Sequence, residues 1–135
     1  MEKTQQYQNL LQQASKASEC AYAPYSEFRV GAAVLFDDGS IYTGCNVENA
    51  SYGLSLCAER SALSAAVSAG KKSGLIAVAI SSPNSKQCYP CGACRQWIAE
   101  FSKDAEIIVE DENENPVIHN IKELLPNLFN LKISS

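Results

Sequence analysis

The chain has 135 residues, enough for one domain, with 46% hydrophobic and 19% charged residues. That balance excludes a disordered chain, and the length leaves a core large enough to fold without a disulfide framework. The net charge is −4, and the densest basic pair is Lys71-Lys72. A nucleic-acid polymer is therefore excluded as an expected partner, because duplex binding needs a basic stripe. No apolar run approaches the roughly 20 residues of a bilayer span. Met1-Glu2-Lys3-Thr4 has no signal-peptide core. The expectation is a cytoplasmic protein with no membrane partner and a small neutral ligand. In that compartment its six cysteines are thiols or metal ligands rather than disulfides.

Residues 4–22 read as an amphipathic helix, with Tyr7, Leu10, Leu11, Ala14, Ala17 and Ala21 at helical spacing and Pro24 as the stop. Val30 to Phe36 and Ser40 to Cys45 flank Asp37-Asp38-Gly39 and read as a hairpin. Asn46 to Leu56 is a polar and aromatic loop. Cys57 to Ala69 turns helical, with a face of alanines and Gly70 as its cap. Leu75 to Ile80 is a continuous apolar run, expected as a strand buried on both faces. A loop from Ser81 to Pro90 leads into a helix from Cys91 to Phe101. Strands follow at Glu106 to Glu110 and Pro116 to His119, then a short helix from Ile121 to Leu125 ended by Pro126. Helices alternate with strands, so a sheet covered on both faces is expected.

Two segments carry chemistry: Cys57-Ala58-Glu59-Arg60 and Pro90-Cys91-Gly92-Ala93-Cys94. Each opens a helix directly after a loop. Free backbone N–H groups and the helix dipole there favour thiolates. Cys91 and Cys94 can reach one metal from a single first turn, and Cys57 supplies a third ligand. Zinc suits such thiolates, and three protein ligands leave the open position of a catalytic site. Glu59 beside that position is a candidate general base and then general acid. Three thiolates and a dication sum to a negative site, so Arg60 is expected to donate to ligand sulfur and restore electrophilicity. Two other readings stay open at this point. Cys88 could complete a closed four-cysteine structural site, and Cys91 with Cys94 could form a redox dithiol. Neither uses Glu59. Cys20, Cys45 and Cys88 otherwise read as buried or loop thiols.

Cys-Ala-Glu followed by Pro-Cys-x-x-Cys is the signature of an already described class, the zinc nucleobase deaminases in their three-cysteine form. Further blocks resemble the small homotetrameric cytidine deaminases: Ala23-Pro24-Tyr25-Ser26, Phe28 to Ala33, Gly44 to Tyr52, and Glu123-Leu124-Leu125-Pro126 ahead of Phe129. The resemblance implies a single three-layer α/β/α domain over residues 1–135, with a mixed, largely parallel five-stranded sheet. It also implies one zinc per subunit and a homotetramer with shared active sites. The reaction implied is hydrolytic deamination of cytidine and 2'-deoxycytidine, a step of pyrimidine salvage, with Glu59 moving the protons. Asn46 and Glu48 would hold the ribose 3'-hydroxyl side, Phe28 would pack against the base, and the Ala58 backbone would meet the polar edge of the pyrimidine. Tyr25, Tyr52 and Phe129 would complete a neighbouring subunit's site. Trp97 and Cys88 depart from the family pattern. A deaminase of another aminated substrate, such as blasticidin S, shares the metal motif, and a non-catalytic zinc module is the reading from a different class.

Overall fold

The structure, a computed structural model, describes residues 2–129 and residue 131. Helix α1 (Lys3–Ser18) buries Tyr7, Leu10, Leu11 and Ala14 of the anticipated stripe, with Ser18 buried where Ala17 was expected and Ala21 beyond the helix. It ends before residue 22 because the chain is claimed elsewhere. Glu19 and Cys20 close the last turn with bonds to Lys16 and Ala17, and Tyr22 pairs with Val47. Strands β1 (Gly31–Phe36) and β2 (Ile41–Cys45) form the hairpin, with Gly39 at φ +88° in its turn. A short 3₁₀ turn at Tyr52–Leu54 interrupts the following loop. Helix α2 (Ala58–Ser68) is followed by Gly70 at φ +95°, the expected left-handed cap. Strand β3 (Leu75–Ser81), helix α3 (Gly92–Phe101), strands β4 (Glu106–Glu110) and β5 (Pro116–Asn120) and the one-turn helix α4 (Ile121–Leu124) complete the described chain.

The five strands lie in the order β2-β1-β3-β4-β5. One face packs on α1 through Ala33, Leu35, Ala77, Ala79 and Ile108. The other packs on α2, α3 and α4 through Ala32, Val34, Val78, Ile80 and Ile107. The three-layer arrangement therefore matches the sequence reading, but the expected predominance of parallel pairing does not. Only β3 and β4 are parallel, while β1–β2, β1–β3 and β4–β5 are antiparallel. The reason lies in the connections. Helix α2 also returns the chain in the same direction, but it carries β3 past β2 to the far side of β1, so only α3 joins neighbouring parallel strands; tight turns at residues 37–40 and 111–115 impose hairpins.

The register fixes where loops emerge. Gly31 at the start of β1 sits opposite both Cys45 at the end of β2 and Ser81 at the end of β3. The loops leading to α2 and α3 therefore leave the same end of the sheet. Two glycines let the layers close on that end. A Cβ on Gly31 would overlap the Ala14 carbonyl and Ser18 nitrogen of α1, and one on Gly44 would overlap the Ala62 nitrogen and Ala58 carbonyl of α2. Gly44→Ala is expected to push α2 off the sheet at a cost of about 1–3 kcal/mol, read as a lowered denaturation midpoint; an unchanged midpoint would contradict that close approach.

At the opposite face Tyr7 donates to Glu106 at 2.6 Å, and Lys3 pairs with the same carboxylate at 2.8 Å. Burial alone would raise the Glu106 carboxyl, but Lys3 and Tyr7 outweigh it and hold the carboxyl below its ordinary value. Its stabilising contribution is thus present above the unfolded-state carboxylate range and is lost as pH falls through the lower folded value. Acid titration of unfolding should show a shallower loss of stability in Glu106→Gln than in the wild-type protein.

Candidate metal and catalytic centre

Cys57 and Cys91 occupy the N-cap positions of α2 and α3, both with extended backbone. Neither helix start has a side-chain cap bond, so the first-turn N–H groups face the sulfurs' neighbourhood unclaimed by a capping oxygen. Helix formation begins at once behind each: Ser61 N–H bonds the Cys57 carbonyl at 3.0 Å and Arg95 N–H bonds that of Cys91 at 2.9 Å. Cys94 lies one turn into α3 and is buried.

The three sulfurs of Cys57, Cys91 and Cys94 lie within 4.8 Å of one another, and those of Cys57 and Cys91 are 3.8 Å apart. A disulfide would need about 2 Å. Tetrahedral coordination with Zn–S near 2.3 Å separates two ligand sulfurs by about 3.8 Å. The spacing and the all-thiol donor set fit zinc. Cys88 does not join the trio, which removes the closed four-cysteine arrangement and leaves a fourth position open. Its thiol, packed on the core, is pushed up to about 11 chiefly by burial.

Arg60 Nη2 donates to the Cys57 sulfur at 3.4 Å and to the Ser55 carbonyl at 3.4 Å. Its Nε is buried with no hydrogen-bond partner among the described residues. The hydrogen bond from Cys94, reinforced by Arg60, draws the Cys57 thiol down to about 5 against the effect of burial. The same contact pushes Cys94 upward, because neighbouring thiols at this spacing cannot all ionise without a cation. Glu59 is buried beside them, 4% exposed, and burial raises its carboxyl to about 7. A carboxyl held there can accept and return a proton near neutrality.

An open cleft of about 380 Å³ adjoins Cys57. Tyr25, Asn46, Glu48 and Tyr52 share its wall, and the Tyr25 and Tyr52 rings meet edge to face at 6.3 Å. Phe28, Ala58 and Phe129 are not part of that wall: Ala58 is buried, whereas Phe28 is 38% and Phe129 70% exposed. Asn46 and Glu48 bind the chain itself. Asn46 accepts from Val30 N–H at 2.8 Å and donates to the Phe28 carbonyl at 2.8 Å. Glu48 accepts from the Tyr25 N–H at 2.9 Å, from the Ser26 N–H at 3.2 Å and from the Ser26 hydroxyl. The Ser26 hydroxyl is the largest of the influences holding the Glu48 carboxyl below its ordinary value. Ser26 was not singled out in the sequence, although it stands in the Ala-Pro-Tyr-Ser block. Its part shows only once residues 25 and 48 are adjacent. Arg95 likewise turns away from the sulfurs, to Pro90 and Leu124.

Comparison with known proteins agrees with this geometry. Residues 4–110 match the family model for the cytidine and deoxycytidylate deaminase zinc-binding region. The chain is 44% identical over 123 residues to a cytidine deaminase of Halalkalibacterium halodurans, covering 90% of this chain and 92% of that one. It is 44% identical over 118 residues to a cytidine deaminase of Mycobacterium tuberculosis, covering 87% and 85%. The crystal structure of a cytidine deaminase from Burkholderia pseudomallei superposes with a TM-score of 0.84 at 42% identity, over 90% of this chain and 97% of that one. With its three sulfurs at zinc-ligand spacing beside a buried glutamate, and with a match spanning most of its length, this chain belongs to the cytidine and deoxycytidylate deaminase zinc-binding family.

Proposed function

We propose that the protein catalyses hydrolytic deamination of cytidine and 2'-deoxycytidine to uridine and 2'-deoxyuridine, releasing ammonia, as a single-domain enzyme of pyrimidine salvage. The observation that carries this reading is the buried carboxyl of Glu59 next to three thiols that can hold one metal ion. Cys57, Cys91 and Cys94 hold the zinc ion. When bound, zinc supplies a water acidified towards neutrality. Glu59 accepts a proton from the attacking water, which adds to C4 of the base. Glu59 returns that proton to N3, then takes the second proton from the hydroxyl added at C4 and delivers it to the departing amine, so that one water and cytidine yield uridine and ammonia. Burial raises the Glu59 carboxyl above its ordinary range, which strengthens it as a base.

Asn46 and Glu48 orient the sugar through its 3'-hydroxyl side, Phe28 stacks on the base, and the Ala58 backbone meets its polar edge. Arg60 holds the Cys57 sulfur in place and offsets thiolate charge. Tyr25, Tyr52 and Phe129, with 52%, 77% and 70% of their surface exposed, complete a neighbouring subunit's site in a homotetramer. Such exposed aromatic rings are the kind of surface that association covers. No helix among the described residues is long and apolar enough to cross a membrane, and cytoplasmic location is the matching expectation.

Zinc-loaded protein incubated with cytidine should lose the substrate's ultraviolet absorbance and release an equal amount of ammonia. Glu59→Ala should keep zinc and lose nearly all turnover, at least about a hundredfold; near-normal turnover would remove Glu59 from its role. Cys91→Ala should fail to retain stoichiometric zinc when assayed by metal analysis after dialysis, and full retention would refute that ligand.

A further inference from the structure

Arg95 directly follows the ligand Cys94 in α3, yet its guanidinium serves the backbone. Its Nε donates to the Pro90 carbonyl at 2.8 Å and its Nη1 to the Leu124 carbonyl at 2.9 Å. Pro90 is buried and immediately precedes the ligand Cys91; Leu124 is the last residue of α4. The neighbouring Gln96 donates Nε2 to the Phe129 carbonyl at 2.8 Å. Two consecutive residues of one helix thus grip the loop that presents Cys91 and the segment that carries Phe129.

The loop depends on this grip. Over residues 87–90 the backbone anchors among the described residues are the Gln87 N–H on the Glu110 carbonyl, at 2.9 Å, and the Pro90 carbonyl on Arg95. Cys91 itself has extended backbone, so the peptide joining it to Pro90 sets the direction of its sulfur. Helix α4 depends on the grip as well. It is a four-residue helix, fixed at its start by the Asn120–Glu123 capping box and closed by one bond from the Leu125 N–H to the Ile121 carbonyl, and its last carbonyl, that of Leu124, accepts from Arg95. A guanidinium presents donors in a rigid planar fork, which an ammonium cannot reproduce.

We propose that Arg95 is a positioning residue for the metal centre: it orients Cys91 through the Pro90 carbonyl and locks α4 to the same unit, while Gln96 extends the clasp to Phe129. This rests on the reading of Cys57, Cys91 and Cys94 as the zinc ligands. The clasp acts through the ligand loop and not on the reacting atoms, so its mark is on metal affinity and coordination geometry.

Full-length wild type, Arg95→Lys and Gln96→Ala should be titrated with zinc against a chromophoric chelator, and their cobalt-substituted forms compared by absorption spectroscopy. Arg95→Lys keeps the charge and most of the length, which favours a folded variant. It should lose zinc affinity about 10- to 100-fold and shift the cobalt ligand-field bands, whereas Gln96→Ala should match wild type in both and speed amide exchange only in the segment after α4. Arg95→Lys with wild-type affinity and bands, and merely a lower melting temperature, would reduce Arg95 to a cap on α4 and overturn the proposal alone. Failure of the wild-type protein to hold zinc would overturn the ligand assignment along with it.

Discussion

The site depends first on strand register. Gly31 lies across from Cys45 on one side and Ser81 on the other, so β1 begins where β2 and β3 end. A slip of one residue would turn every strand side chain to the opposite face. It would also part the two loops whose last residues are Cys57 and Cys91. With the register fixed, segments distant in sequence converge: residues 46–56 after β2, residues 82–90 after β3, and the stretch before β1 that supplies Tyr25 and Ser26. Gly44 then lets α2 approach β2 closely enough for Glu59 to be buried rather than left at the rim.

Convergence creates an electrostatic problem that the surrounding groups only partly solve. Three thiols at contact distance repel one another once ionised, and the opposite directions imposed on Cys57 and Cys94 express that conflict. The helix N-termini and Arg60 supply partial positive charge. A dication completes the balance, which is why a metal belongs to the stable form of this arrangement and not merely to its activity. Glu59 shares the same pocket but responds mainly to burial, so its proton affinity is set by how well α2 seats on the sheet.

Each half of the metal motif was legible because its chemistry is local, Cys57 with Glu59 at one helix start and Cys91 with Cys94 at another, whereas the fold is needed to bring the two halves, 34 residues apart, together. The helices and strands were legible for the same reason, through periodicity and through signals such as Gly39, Gly70 and Pro126. Strand direction was not, because it depends on which distant segments pair. The family resemblance implied a largely parallel sheet, yet one pairing of the four is parallel. Arg95 was equally opaque. Beside Cys94 in sequence it invites a role in charge balance, but side-chain direction is decided by the carbonyls available at Pro90 and Leu124.

The residues proposed for the sugar side already serve the fold. A carboxylate offers about four acceptor directions, and Glu48 gives three of them to Tyr25 and Ser26. Asn46 gives its oxygen to Val30 and one amide hydrogen to Phe28, leaving one lone pair and one hydrogen free. In the proposed reading a sugar hydroxyl takes this remaining capacity without breaking any bond already made. The side chains are then held in place before substrate arrives, and the ordering cost that a flexible loop would meet on binding has been met in folding instead. Pairing Tyr22 with Val47 and Leu56 with Val47 anchors both sides of the cleft to that same arrangement. In that proposed reading sugar recognition and the placement of Cys57 rest on one folded loop, and a change that loosens it acts on both.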